Sequence, residues 1–175
     1  LNSVIESSDK WLWVTTYYDD LKTGFEIYIW AKDQSQKNQT EQALIDLYTL
    51  KEAITKLPSS PKTDEELKNA VHQIDSAYTQ IENFAGMMIQ LMRNSIPSAG
   101  TLDQATIDGA IRNFESIQDG QALIGSKANF ISYLNQVDAQ LSGSGTLAQD
   151  SAKITYEDAL SRSKNTLFTS EIAVK

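Results

Sequence analysis

From Leu67 the apolar positions fall at Leu67, Val71, Ile74, Tyr78, Ile81, Ala85, Met88 and Met92, alternating steps of four and three. That spacing predicts one helix of roughly seven turns with a single hydrophobic stripe, which needs other helices to cover it. Thr63-Asp-Glu-Glu66 ahead of the stripe reads as a capping box, in which a Thr hydroxyl and the Glu three residues later satisfy orphan amides. Thr101 and Asp103 open a further helix in the same way. Three turn-forming stretches, Pro58-Ser-Ser-Pro61, Pro97-Ser-Ala-Gly100 and Ser142-Gly-Ser-Gly145, divide the chain into segments 1–57, 63–95, 101–141 and 146–175. The last three are predicted helices.

The first segment admits two readings. Trp11, Val14, Tyr18, Leu21, Phe25 and Tyr28 follow the three/four rule of a helix, yet residues 11–30 are dense in strand formers. Asp19-Asp-Leu-Lys-Thr-Gly24 supplies a turn between two such runs. The alternative to a continuous helix is therefore a β-hairpin over 11–31 followed by a helix from about Gln34 to Leu57. Within 101–141, Gly109, Gly120 and Gly125 each weaken a helix by roughly 1 kcal/mol relative to Ala. A helix carrying all three is expected to gain from close helix–helix approach or to break, and Asp119-Gly120 is the expected interruption. The repeat of residues 68–76 at 108–116 fits two similar amphipathic helices. The fold expected is mainly α, a single-domain (1–175) elongated antiparallel bundle of about four helices, with residues 11–31 open between helix and hairpin.

Composition narrows the function classes. A net charge of −8 opposes binding to nucleic-acid phosphates and docking on an anionic membrane. The arginines, Arg93, Arg112 and Arg162, are spread along the chain and form no sequence cluster. The absence of cysteine removes disulfide frameworks and thiol chemistry. No run of about 18 apolar residues occurs. The start at Leu with no signal peptide fits a removed leader or an excised region, and the wealth of Ser, Thr, Asn and Gln fits an extracellular or periplasmic bacterial setting.

Candidate chemistry is sparse. His72 borders the stripe alone, without the three or four ligands a metal needs. Asp64, Glu65 and Glu66 occupy a first helical turn, where the macrodipole accounts for them. Gly143 and Gly145 lie in a linker and form no phosphate loop, and the Glu-x-x-His pairs of di-iron bundles do not occur. Neither enzymatic activity nor a cofactor is expected. Two clusters fit protein contact better: Trp11, Trp13, Tyr17, Tyr18 and Trp30 near the start, and Met87 and Met88 beside Gly86. Core packing is the alternative use of both.

Residues 101–175 resemble the carboxyl-terminal part of bacterial flagellins and hook-associated proteins. The likeness rests on Ile107-Asp-Gly-Ala-Ile111, Leu123-Ile-Gly-Ser-Lys-Ala-Asn-Phe-Ile131 and Ile154-Thr-Tyr-Glu-Asp-Ala-Leu160. More broadly the chain is similar to type III-exported filament, needle-tip and translocator proteins. The resemblance implies a secreted, non-enzymatic subunit whose terminal helix, with Leu160, Leu167 and Phe168, mediates assembly with copies of itself or other subunits. A competing resemblance is to four-helix extracytoplasmic sensor domains of chemoreceptors and histidine kinases, carried by Leu44 to Leu57, the Pro58–Pro61 turn and Ile74-Asp-Ser-Ala-Tyr78. It implies a small ligand held between helices, near Arg93 or Arg112 if a carboxylate. A helical toxin or adhesin module is the further alternative.

Overall fold

The computed structural model describes residues 1–12, 14, 34–58, 63–98, 102–119, 121–141 and 146–169. These residues form six helices: α1 (Asn2–Leu12), α2 (Gln34–Thr55), α3 (Asp64–Arg93), α4 (Gln104–Gln118), α5 (Gln121–Leu141) and α6 (Thr146–Thr169).

The 30-residue α3 is the centre of the bundle, packed against α2, α4, α5 and α6, while α1 lies on α2 and α6. The short connections between α2 and α3, and between α5 and α6, make these packed pairs antiparallel. The reason for α3's position is its stripe. Ile74, Tyr78, Ile81, Ala85, Met88 and Met92 are all buried, and Leu67 and Val71 pack on the same cluster at its edge. Each large side chain so enclosed contributes about 1.5–3 kcal/mol relative to exposure.

Local signals set the helix ends. Thr63 Oγ1 accepts from the Glu66 amide at 3.1 Å, and Asp103 accepts from the Thr106 amide at 2.7 Å. Asp103 is held below its ordinary carboxylate pKa by hydrogen bonds from Thr106, its side chain first and this amide second. After α3, Ser98 and Leu102 exchange backbone bonds of 2.7 and 3.2 Å, which pin the turn. Between helices, Lys164 Nζ donates to the Leu57 carbonyl at 2.9 Å, Lys127 pairs with Glu82 at 3.7 Å and Arg93 pairs with Glu115 at 3.0 Å.

Four details refine the sequence expectations. Segment 101–141 is two helices, α4 ending at the Asp119 cap and α5 starting at Gln121, so the interruption falls where Asp119-Gly120 predicts it. The glycines flanking that break do not mark close approach: a Cβ at Gly109 or Gly125 would meet nothing within 4 Å among the described residues. The contact is at Gly86 of α3, where a Cβ would lie 3.0 Å from Gln118 Nε2. At the N-terminal end of the expected hairpin, Trp11 and Leu12 close α1, because Val4, Ile5, Ser8, Trp11 and Leu12 continue one buried helical face. The rest of the hairpin region, Val14 apart, lies outside the described residues.

Candidate functional site

The residues expected at an interface separate into groups. Trp11, Met88, Leu160 and Leu167 are buried in this chain's own core, and Phe168 packs against it, which for Trp11 and Met88 is the core-packing alternative. At the end of α6 part of the cover is the start of the chain: the Leu1 backbone nitrogen donates to the Leu167 carbonyl, and Asn2 Nδ2 donates to the Phe168 carbonyl at 3.5 Å. Trp13, Tyr17, Tyr18 and Trp30 lie outside the described residues. Met87 remains half-buried and lines an open groove.

That groove, of about 500 Å³, runs between α2 and α3. Ala43, Asp46, Leu50 and Ala53 recur at three- and four-residue steps along α2. Gln80, Phe84 and Met87 do so along α3, with Gln73 two turns earlier on the same face. Two parallel ridges with small residues on one side give the groove the spacing of a helix-packing surface. Gln73 spends its amide nitrogen on Asn69 at 3.1 Å, while its buried Oε1 has no hydrogen-bond partner among the described residues.

A second concavity, about 340 Å³, lies between α3, α5 and α6, on the face of α3 opposite the groove. Ser126, Asn129, Phe130 and Tyr133 supply one wall at the i, i+3, i+4, i+7 spacing of a helical stripe. Arg162, Ser163, Asn165 and Thr166 supply the other, with Tyr78 of α3 at the base. Tyr78 and Phe130 have ring centroids 6.2 Å apart. Arg162 donates through Nε to Asp158 at 2.8 Å, and its guanidinium carbon lies 5.9 Å from the Tyr133 ring centroid.

Tyr78 is fully enclosed, and its hydroxyl has no hydrogen-bond partner of normal geometry among the described residues. Burial raises its pKa, and the nearby Ser163 hydroxyl tempers the rise without closing a full hydrogen bond. Tyr156 of α6 is likewise enclosed and unpaired, and burial pushes its phenol up to about 12.

The sequence-predicted ligand arginines are elsewhere. Arg93 is exposed and paired with Glu115, and Arg112 is exposed on α4. His72 is exposed on α3, and among the described residues no three His, Asp or Glu side chains are grouped to hold a metal. No described helix is long and apolar enough to cross a membrane. Arg162 is the residue that sequence reasoning passed over. Its signal is the recurrence of polar residues at Ser126, Asn129 and Tyr133, and at Arg162 and Thr166, on the spacing that elsewhere carries apolar side chains. Comparison with protein-family models, curated proteins and solved structures returns no match.

Proposed function

We propose that the chain is a non-enzymatic bacterial subunit that acts outside the cytoplasm through helix–helix assembly, in the manner of type III-exported filament, tip or translocator proteins. The observation that carries this reading is the α2–α3 groove, whose two ridges, small Ala43 and Ala53 and unpaired Gln73 acceptor suit an incoming helix. The occupant we assign is a second copy of the chain. The α5–α6 hairpin carries exposed isoleucines, Ile131 at 42% and Ile154 at 68% exposure, which offer the apolar contact the groove lacks. A groove on one part of the surface and a knob on another make a heterologous contact, which repeats from copy to copy without closing on itself.

Light scattering over a wide concentration range tests it. The native chain is expected to grow in mass with concentration, and Ile154→Lys and Met87→Lys each to suppress that growth while leaving the helical circular dichroism unchanged. Native protein that stays monomeric would refute the reading. A ligand-sensing bundle is the second reading, and the notch between α3, α5 and α6 favours it.

A further inference from the structure

α5 and α6 pack far more on each other than either does on α3 or α1, whereas α2 and α4 both pack broadly on α3. The chain enters the α5–α6 pair at one joint. There the Asp119 amide closes α4 on the Glu115 carbonyl at 2.8 Å, and α5 begins as a separate helix. Where α3, α5 and α6 meet, the open concavity of about 340 Å³ keeps their surfaces from closing to interior density. Tyr78 is enclosed at its base with its hydroxyl unpaired among the described residues, and Ser163 of α6 is buried beside it. That hydroxyl costs desolvation without a bond in return. The polar ties across the boundary stand at its edges. Lys127 of α5 reaches Glu82 at 3.7 Å and Thr79 Oγ1 at 3.3 Å at the surface, where an ion pair contributes little. The start of α1 bonds to the Leu167 and Phe168 carbonyls at the end of α6. Lys164 of α6 donates to the Leu57 carbonyl, just beyond α2, at 2.9 Å in a half-buried position where burial lowers its pKa. A charge-assisted bond so placed is a stronger tie than the surface pair.

We infer that the α5–α6 hairpin is a detachable arm, which leaves α3 as one helical pair, hinged at the α4–α5 joint and latched by Lys164 on the Leu57 carbonyl. The hinge needs rotation only at the end of α4, the kind of element-terminal position that absorbs such motions. The pair keeps its mutual packing as it leaves, so opening exposes less surface than unfolding and requires less free energy. It uncovers side chains that the closed form encloses. These are Tyr78 and Phe130, whose ring centroids lie 6.2 Å apart across the boundary, and the α6 face with Ala159 and Ser163 one turn apart. The boundary lies on the face of α3 opposite the α2–α3 groove, and opening is a property of the monomer, so it is separable from assembly.

The chain has no cysteine, so a single introduced thiol reports when its own position becomes accessible. Ala159→Cys places that thiol under the arm, and Ala110→Cys places it at a buried position of α4, which packs on α3. The readout is labelling by dithiobis-nitrobenzoate in dilute protein, each rate divided by that of the same variant unfolded in urea. Labelling at Ala159→Cys is expected to be at least about tenfold faster than at Ala110→Cys, because the arm opens without global unfolding. Its rate should depend on urea far less steeply than unfolding does. Adding Lys164→Met should speed it by about tenfold or more, the loss of one bond to a charged donor. Adding Tyr78→Phe should slow it severalfold, since the closed form then buries no unpaired hydroxyl. Both should retain the native far-ultraviolet circular dichroism. Ser163→Cys, on the same face of α6, carries the comparison if Ala159→Cys disturbs the fold. Equal rates under the arm and on α4, or a urea dependence as steep as that of unfolding, would overturn the inference. So would a rate that Lys164→Met leaves unchanged or that Tyr78→Phe fails to slow.

Discussion

Replacing Tyr156 by Phe should stabilise the protein. The side chain is 0% exposed, and its hydroxyl has no hydrogen-bond partner among the described residues. A buried hydroxyl left unpaired costs about 1–3 kcal/mol of desolvation. Phenylalanine fills nearly the same volume without that cost, so the expected gain is about 1 kcal/mol, or about 2–4 °C in melting temperature for a chain of this size. The same variant carries a second signature at high pH. The phenol titrates at 10.0 in the unfolded chain and at about 12 in the folded one. Between those values the folded state holds the proton that the unfolded state has lost. The contribution is therefore complete below 10.0 and is lost as pH rises towards about 12. Once solvent screening reduces the full shift, the loss is of order 1–2 kcal/mol. Urea unfolding followed by far-ultraviolet circular dichroism, near neutral pH and again about one unit above the phenol's ordinary 10.0, reads both effects. Tyr156→Phe should be the more stable protein at neutral pH and should lose less on going alkaline. A variant destabilised by more than about 1 kcal/mol would mean that the hydroxyl is satisfied, and an unchanged alkaline loss would mean that Tyr156 is not the group that titrates. Either result refutes the reasoning.

The other stability predictions concern packing. Leu160→Ala should cost about 2–5 kcal/mol in urea unfolding of dilute monomer, because Leu160 fills the chain's own core; a loss below about 1 kcal/mol would return it to the surface role its sequence context implies. Gly109→Ala and Gly125→Ala should each raise stability by up to about 1 kcal/mol, since both lie inside helices and an added methyl meets open space. Destabilisation by either, read from the urea midpoint, would mean that a neighbour approaches that face.

Much of the bundle was legible before the structure because its information is local. The Thr63 cap, the Asp103 cap and the break at Asp119-Gly120 all depend on residues within one or two turns. The α3 stripe was legible for the same reason, since a three/four spacing needs no partner to be recognised. What covers a stripe is a non-local fact. Leu160 and Leu167 read as sparse apolar positions on a terminal helix, and only the packing of α6 against α5, α3 and α1 makes them core. The expected four helices became six partly because α1 buries Ser7, Ser8 and Asp9 along with its apolar residues, which blurs its period. Ser8 settles there by donating its hydroxyl to the Val4 carbonyl at 2.7 Å.

The notch was hidden for a related reason. Tyr78 reads as one more member of an apolar stripe, and Asn129, Tyr133 and Arg162 read as solvated positions on two other helices. Their meeting follows from α5 and α6 both packing on α3. Arg93 and Arg112 drew attention as candidate ligand groups, but α4 takes Arg93 into its pair with Glu115 and leaves Arg112 facing solvent. The groove stands between these cases: Met87 was singled out in the sequence as a candidate contact residue, whereas the ridge of Ala43, Leu50 and Ala53 facing it was defined only once α2 lay beside α3.

The central claim, assembly through the α2–α3 groove, is tested most directly by mass from light scattering across a hundredfold concentration range, native chain beside Ile154→Lys. The account predicts that the native chain grows in mass with concentration while the variant stays monomeric and equally helical. A native chain that remains monomeric throughout, or a variant that grows in the same way, would contradict it.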